Sequence, residues 1–252
     1  MLSKIKRLYH YYVQAHHVPR NPLALVRMVE FAVLFAFEER ATAETFLQEA
    51  QTGDIVLMVA DNVYSWLQTF FTGSYASHVG VCYRDEHGRL FIYESTFKEA
   101  GIVDQITGME KSGPMLIDAE TRLRHYLEND GFSFRWRRLH LPDGLRPEML
   151  ARPMRKFMRS HKFDEFDMNV VRLINGASAT WLPGASWLGL DAPDPHRVFC
   201  SRIVAQLYIA LGLLRPARSA EHYSPSDWTS KRHNLALQDG VGLSAESVVY
   251  YY

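Results

Sequence analysis

The sequence predicts an α+β fold with a helical appendage at its N-terminus. Three observations predict it: short apolar, β-branched runs with turn residues between them from residue 55 onward, an amphipathic helical pattern over 147–160, and a second apolar-periodic segment opened by Cys200. Each element has a local physical reason.

Residues 22 to about 49 read as helix, because Asn21 can cap, Pro22 suits a first turn, and Leu25, Met28, Val29, Ala32, Val33 and Ala36 recur at three- and four-residue steps. Phe31, Leu34, Phe35 and Phe37 widen the apolar face, and Thr42, Glu44 and Thr45 restart a second helical piece. Residues 1–50 are therefore assigned to the appendage and 51–252 to the main domain.

The turn signal Thr52-Gly53-Asp54 precedes the buried-strand pattern Ile55-Val56-Leu57-Met58-Val59. Val63, Trp66, Leu67 and Phe70 then fall at helical spacing before Gly73. Strands are expected over 77–84 and 90–95, paired antiparallel across the polar connection Asp85-Glu86-His87-Gly88. A short helix is expected over 118–127, a strand over 132–140, and a helix over 147–160 with Pro147 at its start and Met149, Leu150, Met154 and Phe157 as its stripe. Residues 176–195 form a long Gly-, Ala-, Pro- and Ser-rich loop carrying Trp181, Leu182, Trp187 and Leu188. Beyond it, Ile203, Leu207, Ala210, Leu211 and Leu214 make the segment after Cys200 a buried helix.

Composition excludes several function classes. Lys plus Arg and Asp plus Glu both number 28, so no global field calls for nucleic acid. Two cysteines in 252 residues do not make a secreted disulfide scaffold, which favours a reducing, cytoplasmic setting. The apolar window from Val29 to Phe37 is too short for the roughly 20 residues of a spanning helix. A peripheral lipid contact stays open, since Lys4, Lys6 and Arg7 precede that window. The 11 histidines include no pair at metal-ligand spacing with a matching partner motif, so neither metal nor cofactor is expected.

The chemistry concentrates on Cys200. A helix N-terminus sets unpaired N–H groups and the positive dipole end against a thiolate, which lowers a thiol pKa. The same N–H groups, notably that of Ser201, can stabilise an oxyanion on an attacked acyl carbon. Cys82, inside the apolar strand Val79-Gly80-Val81-Cys82-Tyr83, reads instead as core. A catalytic thiol needs an imidazole, and the imidazole needs an acceptor to orient it. His78 opens a buried strand at the end where side chains reach a cleft, and Glu94 lies near the end of the next strand, where antiparallel pairing can bring it alongside.

Gly53-Asp54-Ile55-Val56, Ser77-His78-Val79-Gly80-Val81, Tyr93-Glu94-Ser95 and Phe199-Cys200-Ser201-Arg202-Ile203-Val204, in that order, resemble the permuted branch of the NlpC-type papain-like superfamily, in particular its YiiX-like and poxvirus members. Tyr223-Ser224-Pro225-Ser226-Asp227 resembles the Ser-Pro-x-Asp element that follows the Cys helix in this group. The resemblance implies a circularly permuted papain-like fold, with an antiparallel sheet or barrel packed on the Cys helix. It also implies Cys200 as nucleophile, His78 as general base and acid, and Glu94 as the residue orienting His78. Where relatives often carry a Tyr-Asp pair, Phe163-Asp164 lacks the phenol; Tyr75 and Tyr64 are the candidates to replace it, and Asp164 is assigned to capping or bracing the site.

Superfamily members act on peptides and isopeptides or on lipid esters and amides, and one fold hosts them all. Trp66, Phe70, Trp181 and Trp187 would give the cleft apolar walls, which tilts the expectation toward a small acyl or lipid-like substrate over a peptide one. The rival reading from another class is a binding protein that keeps the papain-like shell without catalysis.

Overall fold

In the computed structural model, residues 39–60, 76–127, 131–166, 197–232 and 235–250 are described here. The expected helices at 22–38 and 62–71, the loop at 176–195, and the side chains of Tyr64, Tyr75, Trp66, Phe70, Trp181 and Trp187 lie outside these residues.

The core element is a seven-stranded sheet of spatial order β1-β11-β6-β2-β3-β4-β5, built from β1 (Glu39–Thr42), β2 (Ile55–Ala60), β3 (His78–Arg84), β4 (Leu90–Thr96), β5 (Gly113–Asp118), β6 (Gly131–Arg137) and β11 (Ser247–Tyr250). The pairs β11–β6, β6–β2, β2–β3, β3–β4 and β4–β5 are all antiparallel. Among the described residues, four α-helices accompany it: α1 (Ala43–Glu49), α2 (Ala119–His125), α3 (Pro147–Ser160) and α4 (Cys200–Ala210). Among the described residues no helix is long and apolar enough to cross a membrane.

Strand alternation divides the sheet into two buried faces. Ile55, Leu57, Val79, Val81, Phe91 and Tyr93 pack with Leu150, Met154 and Met158 of α3 and with Ile203, Val204 and Leu207 of α4. Val56, Met58, Cys82, Ile92, Phe134 and Trp136 pack on the other side with Phe46 of α1 and Ala119 and Leu123 of α2. Helices therefore cover both faces, and strand residues on either parity must be apolar. That is why β2, β3 and β4 read as continuous runs and not as alternating ones.

The expected helix reaching to residue 49 is corrected. Glu39–Thr42 is strand, and only Ala43–Glu49 continues as helix, its first turn capped by Thr42 Oγ1 accepting from Thr45 N at 3.0 Å. The cap potential of Thr42 was visible, but the sheet partner that holds the preceding residues extended is 200 residues away. β11, which pairs with the distant β6, escaped sequence reading for the same reason. The expected strand over 132–140 is split into Gly131–Arg137 and the two-residue β7 (Leu139–His140), which pairs with β10 (Gly242–Leu243). The hairpin of β3 and β4 and the helix over 147–160 stand where the sequence put them.

A short parallel pair, β8 (Glu165–Phe166) with β9 (Arg197–Val198), delivers the chain to Cys200. It lies against β5, where Gly113 has φ +108 and a Cβ would stand 2.2 Å from the Asp164 carbonyl oxygen. Only glycine permits that approach. Gly113→Ala is expected to lower unfolding free energy by about 1–3 kcal/mol, read as an earlier urea midpoint; an unchanged midpoint would mean the close approach is absent in solution.

Candidate active site

The site begins with a hairpin. Ser77 N donates to the Met58 carbonyl at 3.1 Å, which fixes the start of β3, and His78 sits opposite Met58 as the first strand residue. The β3–β4 ladder ends at Val81↔Tyr93. One step on, Glu94 falls opposite Gly80, so its carboxylate meets His78 along the cross-strand diagonal. His78 Nε2 lies 3.2 Å from Glu94 Oε2. The expectation that strand pairing brings the two together holds, by a diagonal and not a direct pair.

Adjacent residues of β4 then serve opposite faces. Glu94 shares its face with Ile92 and turns toward α2, where Arg122 Nε lies 2.8 Å from Oε1. Ser95 turns the other way and donates from Oγ to the Val198 carbonyl at 2.9 Å, tying β4 to the segment that leads into Cys200. The end of β4 thereby contacts His78 on one side and the backbone leading into Cys200 on the other.

Cys200 is the first residue of α4, is buried, and belongs to the apolar cluster of the α3–α4 face. Its thiol lies close enough to His78 to act on the charge of the ring. With Nε2 on Glu94, Nδ1 is the ring nitrogen left for sulfur. The first N–H of the helix to find an acceptor within it is that of Ile203, onto the Phe199 carbonyl at 3.1 Å. The N–H groups of Cys200 and Ser201 precede it, outside the intrahelical ladder. Ser201 is itself buried.

Electrostatics follow from this geometry. Burial, the largest single influence, pushes the His78 imidazolium down, but attraction to Cys200 and Glu94 and hydrogen bonds to both outweigh it and raise the pKa to about 10. Burial likewise opposes ionisation of Glu94, and Arg122 and His78 overcome it to hold the carboxyl below the usual carboxylate range. Cys82 shows the contrast: burial, helped by the nearby Asp54 charge and only partly opposed by Arg84, drives its thiol far up.

Asp164 stands at the turn between α3 and β8, its backbone N–H on the His161 carbonyl at 3.1 Å and its own carbonyl against Gly113. That position braces the β8–β9 entry to Cys200 through the backbone. Ser224, Pro225, Ser226 and Asp227 form a short capped turn, with Ser224 N donating to Asp227 Oδ2 at 2.8 Å. This turn packs on β2 and β3.

Sequence reading missed Ser95 as a tether and Arg122 as the partner of Glu94. Ser95 was within a quoted motif, but nothing local marks its oxygen as a tie to a residue 103 positions away. Arg122 alternates with Arg124 in Thr121-Arg122-Leu123-Arg124. One is buried and the other pairs with Glu120 at the surface.

An aromatic chain flanks the nucleophile: the Phe97 and Phe166 ring centroids are 4.3 Å apart, and Phe166 and Phe199 are 6.2 Å apart. Phe199 immediately precedes Cys200, and Phe97, at the far end, is 40% exposed. Among the described residues no group of three or more His, Cys, Asp and Glu side chains is arranged to hold a metal ion.

No family model matches this chain, and no curated protein matches it. Among solved structures, the metalloprotein yiiX from Escherichia coli O157:H7 is similar, with a TM-score of 0.39 and 14% identity over 81% of this chain and 98% of its own.

Proposed function

We propose that the chain is a thiol-dependent hydrolase or acyltransferase of circularly permuted papain-like design, acting on an ester or amide carbonyl through a Cys200 thioester. The observation that carries this reading is the placement of His78 between the Cys200 thiol and the buried Glu94 carboxylate. That order, thiol, imidazole and carboxylate at a helix start, is the one in which a nucleophile, its base and an orienting group would act.

In the cycle, Cys200 sulfur attacks the carbonyl carbon, and the oxygen, now negative, faces the first-turn N–H groups. The C–O or C–N bond breaks as His78 Nδ1–H passes its proton to the leaving group. Water or another acceptor then attacks the thioester, giving its proton to His78, and the Cys200 thiolate departs. The Phe97–Phe166–Phe199 chain supports a lipid-like acyl group over a polar peptide, because apolar rings line one flank of the nucleophile.

The test is a series of p-nitrophenyl esters from acetyl to dodecanoyl beside a peptide p-nitroanilide, followed by intact mass. A burst of nitrophenolate with one acyl adduct on Cys200, faster for the longer chains and absent in Cys200→Ala, is the expected result. Turnover that persists in Cys200→Ala, or no adduct from any ester, would overturn the proposal.

A further inference from the structure

Glu94 is fully buried, and two cationic side chains flank it: His78 from β3 at 3.2 Å and Arg122 from α2 at 2.8 Å. Arg122 is 2% exposed and is held in turn by Glu99, with Nη1 at 2.6 Å from Oε2 and Nη2 at 3.2 Å from Oε1. His125 Nε2 reaches the same Glu99 oxygen at 2.9 Å, and the Arg122 guanidinium carbon lies 5.1 Å from the centre of the Tyr126 ring. Among the described residues, the groups that face this network are Cys200 and His78 on one side and Glu99, His125 and Tyr126 on the other. A guanidinium shared between two carboxylates suits this place because its planar donors address both at once.

We infer that Arg122 is the positioning residue of the site: by keeping Glu94 ionised it fixes which nitrogen of His78 carries the proton. The inference rests on the Cys200–His78 reading above. An ionised Glu94 accepts only, so His78 must present Nε2–H to it, which leaves Nδ1 to take up the thiol proton and complete the imidazolium. A protonated Glu94 donates to Nε2 instead, which places the proton on Nδ1. An imidazole with N–H facing sulfur cannot accept the thiol proton. Removing the cation from a buried carboxylate therefore disables the base at every pH where Glu94 holds its proton. The loss is conditional on pH, which a packing defect would not be.

The experiment is the rate of Cys200 carboxamidomethylation by iodoacetamide from pH 4.5 to 9, for wild type, His78→Ala, Arg122→Gln, Arg122→Lys, Glu94→Gln and the Glu94→Gln/Arg122→Gln pair. Arg122→Gln is expected to move the acid limb up by about one to two pH units, the effect of losing a neighbouring opposite charge. Its plateau should stay within about threefold of wild type. Arg122→Lys should restore most of the limb, and Arg122→Gln should add nothing in the Glu94→Gln background. A uniform slowing at all pH values, or an unmoved limb in both Arg122 variants, would overturn the role while leaving the Cys200–His78 pair standing. A wild-type thiol that reacts only near the roughly 8.5 of a free cysteine, indifferent to His78→Ala, would overturn both.

Discussion

His78→Ala slows alkylation of Cys200 at pH 6 by about two to three orders of magnitude, in line with the loss of a positioned proton acceptor. The expectation comes from the balance of charges around the ring. In the native site imidazolium is favoured up to about pH 10, because Glu94 and Cys200 outweigh the penalty of burial. The reactive form of a cysteine is its thiolate, which a neighbouring imidazolium favours. Without the ring, a buried thiol has only the α4 N-terminus to favour its ionisation. Stopped alkylation with mass readout at pH 6 and pH 9 decides the point. The gap should be widest at pH 6 and close as pH rises, since hydroxide then ionises the thiol unaided. A gap of less than threefold at pH 6 would mean that His78 is a bystander.

Glu94→Gln costs about 3 kcal/mol of unfolding free energy, the lower end for breaking a buried ion pair. The lower end applies because Arg122 keeps Glu99, which is partly exposed to water. In a domain of this size that corresponds to a Tm lower by roughly 6–12 °C. The sign of the pH dependence follows from linkage. Glu94 has a depressed carboxyl pKa in the native state, so its stabilising contribution is present above the unfolded value and is lost as pH falls through the folded one. The Tm difference between wild type and variant should thus be full near pH 7 and shrink in acid. Arg89→Ala, which breaks the exposed Arg89–Asp85 pair at 2.9 Å, is the control and should cost well under 1 kcal/mol. Equal losses for the two variants would show that burial of the Glu94 pair contributes little.

Much of the catalytic geometry was legible in the sequence, for a reason that the missing parts make clear. His78 and Glu94 lie on two strands joined by a short polar turn, so local pattern fixes both the pairing and the end at which they stand. Cys200 was legible because the apolar periodicity from Ile203 onward fixes where its helix starts. Arg122 was not, because a two-residue step around a short helix separates a buried guanidinium from an exposed one, and only the facing carboxylate selects between them. The strands β1 and β11 were missed because each is held by a partner remote in the chain and carries little signal of its own. Gly113 had no distinguishing context either: the contact that demands a glycine is with the Asp164 carbonyl, which no nearby residue announces.

The Ser95 hydroxyl bridges to Val198 across 103 positions of chain. During synthesis the β3–β4 hairpin emerges and can close long before α4 leaves the ribosome, whereas the thiol joins its base only after this distant segment docks, the slow kind of closure that high contact order imposes. A nascent or partly unfolded chain therefore carries an ordinary cysteine. On the proposed reading, the activation of Cys200 waits on the docking of this segment.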